Sequence, residues 1–328
     1  MARWKCITMI QLNHNRIVPE EPLLLNVAMK LDPTRTTTLR KNFIVEMERR
    51  INNIKKLITY SIVDNDCFGL SRPQQTNFQF NAKMTPAGQG QFAFPRDKAK
   101  IEGFMRWLRE QQQRENGPLE VIIRPGTITG IESPWTDTFI LPAYSQGIKR
   151  SRQELHKQSK DIPLIGNDAE IAAMIRGPVH ANTVGVVFTR TFTGLVGITA
   201  EMDMQISRII SEGLINGENP LTIANTLVNG VSNELGYKAV GTYTKAIQRA
   251  RALARTEVIR AHHLANIAEY EQWGAIGVNV EAEWGLGSEP CTHCQRMAAQ
   301  GPYTLKEIKS KIPLHPNCVC VAIPVLTN

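Results

Sequence analysis

The spacing C-x2-C-x20-H-x2-C-x-C, formed by Cys291, Cys294, His315, Cys318 and Cys320, constrains this chain more than any other stretch. Residues 290 to 320, "PCTHCQRMAAQGPYTLKEIKSKIPLHPNCVC", hold four of its six cysteines. A two-residue gap lets one tight turn aim two thiolates at a single ion. A second turn after a short element completes a closed tetrahedral set, the arrangement of structural zinc. Pro316 keeps His315 extended, and Asn317 supplies the left-handed residue that brings His315 and Cys318 round.

Five donors compete for four places, so one of His315, Cys318 and Cys320 is surplus. Cys318 and Cys320 face opposite sides if the following strand begins early. His293, inside the first turn, reads as exposed. Free thiols, a disulfide formed on oxidation and a catalytic thiol stay open beside zinc. A bound ion would contribute on the order of 10 kcal/mol to folding this terminal unit.

The other two cysteines, Cys6 and Cys67, stand apart and read as small buried hydrophobes. Six cysteines in 328 residues make no disulfide scaffold. A hydrophobic share of 42%, a charged share of 21% and a mean hydropathy of -0.23 describe an ordinary globular composition. No run reaches the roughly 18 apolar residues of a membrane span, and no secretory signal is visible. The expectation is a protein made in the cytosol with no membrane partner. The net charge of +8 gives only a modest preference for anionic partners.

Along the chain, residues 1 to 30 read as an extended arm. Asp32 as cap and Pro33 in the first turn open a helix with Leu39, Phe43, Met47, Ile51, Ile54, Ile58 and Ile62 on its inner face. Its outer face carries Arg40, Lys41, Arg49, Arg50, Lys55 and Lys56 against Glu46 and Glu48. Residues 64 to 95 are an irregular excursion. A second helix, with Ile101, Phe104, Met105 and Leu108 inward, stops at Gly117. Residues 118 to 134 hold a short strand-like piece, and residues 135 to 158 read as helix. The β-branched, glycine-punctuated run "GPVHANTVGVVFTRTFTGLVGIT" fits strand or loop.

From Thr199 the pattern predicts a helical hairpin that turns at Gly217 and reopens at Asn219 and Pro220. A long helix follows, with Ile247, Ala250, Ala254, Val258, Ala261, Ala265 and Ala268 on one stripe, small enough for close packing. His262 and His263 point about 100° apart and cannot share a metal. Glu257 reads as an ion-pair partner of Arg260 or Arg255. "IGVNVEAEW" alternates as a half-buried strand, Thr304 and Glu307 form a capping box, and "VCVAIPVL" makes a second strand. The fold class is mainly α (α+β). A helical region spans residues 31 to 198, and a helix-plus-small-sheet domain braced by the Cys/His cluster spans 199 to 328.

Nucleotide-binding, zincin and nucleophile-elbow motifs are missing, so the chain reads as no enzyme. "LARTEVIRAHHLANIAEYEQWG", "VEAEWGLGSEPCTHC" and "IPLHPNCVC", in that order, resemble the Mu F-like head morphogenesis proteins, minor capsid proteins of tailed phages. An acidic residue often precedes the first cysteine in that family, and Glu289 matches it only approximately. The resemblance implies a virion protein at the portal vertex or capsid interior, present in the host cytoplasm during assembly. Its implied partners are the portal protein and a major capsid or scaffolding protein, with contact to packaged DNA as a further expectation. The competing readings are a zinc-dependent nucleic-acid-binding protein and a nuclease.

Overall fold

In a computed structural model, residues 32–70, 98–123, 132–230 and 241–327 are described. The N-terminal arm and residues 71–95 of the excursion lie outside them. Helix α1 (Thr37–Thr59) widens into a π-helical turn, Tyr60–Asp64. Then come α2 (Lys98–Gln113), the hairpin β1 (Val121–Ile123) and β2 (Glu132–Pro134), α3 (Asp137–Gln158), α4 (Asp168–Arg176), α5 (Pro178–Asn216), α6 (Pro220–Asn229) and α7 (Thr242–Ala275). The C-terminal unit comprises β3 (Val280–Gly285), α8 (Thr292–Gln300), β4 (Tyr303–Thr304), α9 (Leu305–Lys309) and β5 (Val321–Leu326). The architecture is mainly α with a small antiparallel sheet, ordered β4-β3-β5, near the C-terminus.

Helix α7 is the central element, packed against α3, α5 and α1. Its alanine stripe explains why. Ala250, Ala254, Ala261 and Ala265 are fully buried. At Gly147 of α3 a Cβ would sit 2.4 Å from the His262 carbonyl oxygen and 2.7 Å from Ala265 Cβ. Two backbones approach that closely only where both sides are small.

Helix α1 buries the apolar row read from its sequence, Phe43 through Ile62. It starts later than the Asp32-Pro33 signal suggests. Arg35 takes a left-handed φ of 56°, and the Asp32 carboxylate accepts from the Thr34 and Thr36 amides at 3.0 Å each. Asp32 therefore braces the helix start through an extra turn rather than capping at Pro33. Arg50 also departs from the solvated outer face. It is 6% exposed, lies 4.2 Å from the Trp135 ring centroid and donates to Glu46, Glu120 and the Gly117 carbonyl. Cys67 is buried as expected.

The run that fits strand or loop is neither. It forms the first half of α5, 39 residues long. Gly177 is the extended N-cap, Pro178 opens the first turn, and His180, Val184, Val187, Thr191, Leu195, Ile198 and Met202 are buried at helical spacing. Tertiary packing overrides β-branched propensity here. The hydroxyls of Thr183, Thr191 and Thr199 donate to carbonyls one turn back. The division drawn at residue 199 falls inside this helix, and one apolar core continues from Phe43 to Ala265 across it. By length and composition α5 is apolar enough to cross a membrane; in this fold one face of it packs on α7.

A second core joins Leu155 and Ile162 to Ile259, Ile267 and Tyr270 of α7 and to Ala282, Trp284, Ile308 and Ile312. The C-terminal unit is pinned to the longer helices by polar bonds as well. Gln158 bonds the Pro324 carbonyl and the Leu326 amide, and His263 Nε2 contacts the carbonyls of Ile308 and Lys309 at 3.2 and 3.3 Å.

Candidate metal centre

Four elements aim the sulfur-bearing residues at one place. Strand β3 buries Trp284 one residue before its end at Gly285, and the next loop presses on Val319. A Cβ at Gly287 would lie 2.3 Å from Val319 Cγ2, so a side chain there would force Val319 to shift. Cys291 then caps α8, its sulfur accepting from the Cys294 amide at 3.4 Å. The C-x2-C turn is thus the first turn of a helix, which places Cys294 inward and leaves Cys291 and His293 exposed. The Thr304–Glu307 capping box is formed as read. Asn317 takes φ 66°, and the Cys318 amide donates to the His315 carbonyl at 3.1 Å, closing the second turn.

His315 Nε2 lies 3.2 Å from Cys291 Sγ and 3.4 Å from Cys294 Sγ, and the sulfurs of Cys294 and Cys318 are 3.9 Å apart. Around a tetrahedral zinc ion, neighbouring sulfurs are about 3.8 Å apart, and a sulfur and a nitrogen about 3.5 Å. Two overlapping groups can hold a metal ion: Cys291, Cys294 and His315, and Cys294, Cys318 and Cys320. Within each, the donor atoms lie within 4.8 Å of one another. All five residues named from the spacing therefore converge. Strand β5 begins only at Val321, so Cys318 and Cys320 reach the same group instead of facing opposite sides.

The surroundings favour thiolate at defined positions. The Cys294 backbone holds the Cys291 thiol below its ordinary range. A bond from the Cys320 thiol brings Cys318 down to about 5, and the same bond pushes Cys320 up. Burial pushes Cys294 up to about 12. The Pro316 carbonyl raises the His315 pKa. The Gly287 backbone and the Trp284 side chain oppose the rise at Cys320. Trp284 Nε1 is buried without a hydrogen-bond partner among the described residues. Amides and an indole around sulfur are the outer contacts that orient metal-bound thiolates.

Two supporting residues escape a reading of the cysteine segment alone. Arg255, in the middle of α7, bonds Asn317 at 3.1 Å. Glu257, two residues on, pairs with Arg260 and with Arg190 of α5; Arg260 was one of its two expected partners.

A buried polar set lies apart from the cysteines. Tyr144 meets His180 Nδ1 at 3.0 Å, His180 Nε2 meets Glu269 at 3.0 Å, and Arg152 donates to Glu269 at 2.9 Å. Glu269 is wholly buried, so both its oxygens are matched by donors, as a buried carboxylate requires. The set ties α3, α5 and α7 together. Its one sequence signal is an acid on the apolar side of α7.

No protein-family model, no curated protein and no solved structure matches this chain.

Proposed function

We propose that this chain is a structural minor capsid protein of a tailed phage, acting at the portal and inner capsid during head assembly, with a zinc ion bracing its C-terminal unit. The observation that carries the reading is a convergence. The three separated motifs behind the family resemblance meet in space: Arg255 of A-R-T-E bonds Asn317 of H-P-N-C, and Trp284, Cys294, Cys318 and Cys320 share one core.

Zinc fits the soft, mixed sulfur and nitrogen donor set. Cys291, Cys294, His315 and Cys318 would hold it, and Cys320 would remain a thiol beside Trp284. The ion supplies a cross-link between two turns 24 residues apart in sequence, and the chain's own work lies in its surfaces. The partners in this reading are the portal protein and a major capsid or scaffolding protein, with the N-terminal arm engaging the portal and basic surface meeting packaged DNA.

The test is assembly itself. Co-expressed with the portal protein of the same phage, the full chain co-purifies with it and enters purified heads at low copy number. Deleting residues 1 to 30 weakens both. Elemental analysis gives one zinc per chain, lost in C291S. Heads that assemble without it and contain none, or magnesium-dependent DNA cleavage by the pure protein, would refute the reading.

A further inference from the structure

We infer that the cluster is also a two-ion site for a monovalent, thiophilic metal such as copper(I), with Cys294 as the bridging thiolate. This deepens the reading of the cluster as a metal centre and rests on it. Donor counting carries the argument. The five residues form two groups of three that share one sulfur: Cys291, Cys294 and His315 on the outer side, and Cys294, Cys318 and Cys320 on the inner side. With Cys294 bonded twice, five residues supply six bonds, the requirement of two three-coordinate ions.

Zinc does not match that count. One tetrahedral zinc ion uses four donors and leaves the fifth idle, while two need eight bonds and would draw on water or foreign ligands. Copper(I) prefers thiolate and imidazole and is satisfied by three donors. Burial points the same way. All three inner cysteines are buried, with Cys294, Cys318 and Cys320 each 2% exposed, so an ion there is enclosed by sulfur without water. The outer group opens to solvent at Cys291, which gives an entry path. The sulfur separation across the bridge, 3.9 Å between Cys294 and Cys318, already suits a shared ion. Cys320, superfluous for zinc, becomes a ligand.

The test is anaerobic titration of the reduced, metal-free full chain with copper(I) against a chromophoric copper(I) chelator. Bound metal is counted by native mass spectrometry, and zinc is titrated in parallel. The wild type and C6S take up two copper ions per chain. C320S takes up one copper while keeping one zinc, and C294S loses the two-copper species. A wild-type plateau at one copper, or a second copper that survives C320S, overturns the inference whatever zinc does. Two coppers without zinc binding would sink the zinc reading and leave this one standing.

Discussion

The Arg255 guanidinium donates to the Asn317 side-chain oxygen across 3.1 Å, joining the middle of the longest C-terminal helix to the turn between His315 and Cys318. Asn317 also carries the left-handed backbone of that turn, with φ 66°. One residue thus does two separable jobs. N317G keeps the turn and loses the bond, whereas N317A loses the bond and adds strain, since the left-handed region costs a residue with a Cβ about 1 kcal/mol or more. N317A is therefore the more destabilised of the two, and its zinc affinity falls further, as read by thermal unfolding and zinc competition.

Chelation of a bound zinc ion should loosen the C-terminal unit selectively. Hydrogen exchange is the readout. Protection falls across β3, α8 and β5, whose second core contains Cys294, Cys318 and Cys320. The α1 and α5 amides, within the separate main core, change little. A uniform loss over the whole chain would contradict the two-core arrangement.

G147A tests the crossing of α3 and α7. Its added methyl would sit 2.4 Å from the His262 carbonyl oxygen, so the helices must part. Overpacking of this kind costs about 1–3 kcal/mol, seen as a lower urea midpoint with an unchanged slope.

Acid should destabilise the fold well before the carboxylates titrate. Burial lowers the pKa of His262 from 6.5 to about 3 and of His263 from 6.5 to about 4. Both are neutral when folded and take up protons when unfolded. Their contribution is complete above about pH 6.5 and declines as pH falls, toward about 4 for His263 and about 3 for His262. The slope approaches about 1.4 kcal/mol per pH unit for each histidine. Urea midpoints between pH 7 and 5 measure it, and H262F removes about half of the histidine-linked dependence.

E269Q strips the negative charge from the set of Tyr144, His180 and Arg152. Arg152, its side chain 11% exposed, is then left without a counter-ion. Breaking such a buried pair costs about 3 kcal/mol or more. If the loss is instead below about 0.5 kcal/mol by urea unfolding, the pair does not hold α3 to α7.

Much of this architecture was legible because periodicity survives in sequence. The stripe of α7, the turn at Gly217, the cap at Asn219 and the capping box at Thr304 are local signals, and local physics decided them. The five candidate metal donors were legible as a set through their spacing. Three features were not. The first half of α5 reads as strand or loop because its valines and threonines disfavour helix, and only the buried face against α7 reverses that. Helix α8 is hidden because the C-x2-C spacing suggests a bare turn. The partnerships of Arg255 with Asn317 and of His180 with Glu269 join residues 62 and 89 positions apart, and such pairings exist only once the helices have packed.

The unbroken run of α5 through residue 199 has a bearing on any attempt to cut the molecule in two. A fragment starting there would inherit half a rod and expose the seam of α7 that the missing half covers. The sulfur-rich tail would then sit on a scaffold stripped of its neighbours. The piece that carries the cysteine cluster thus depends on the half-helix that precedes it.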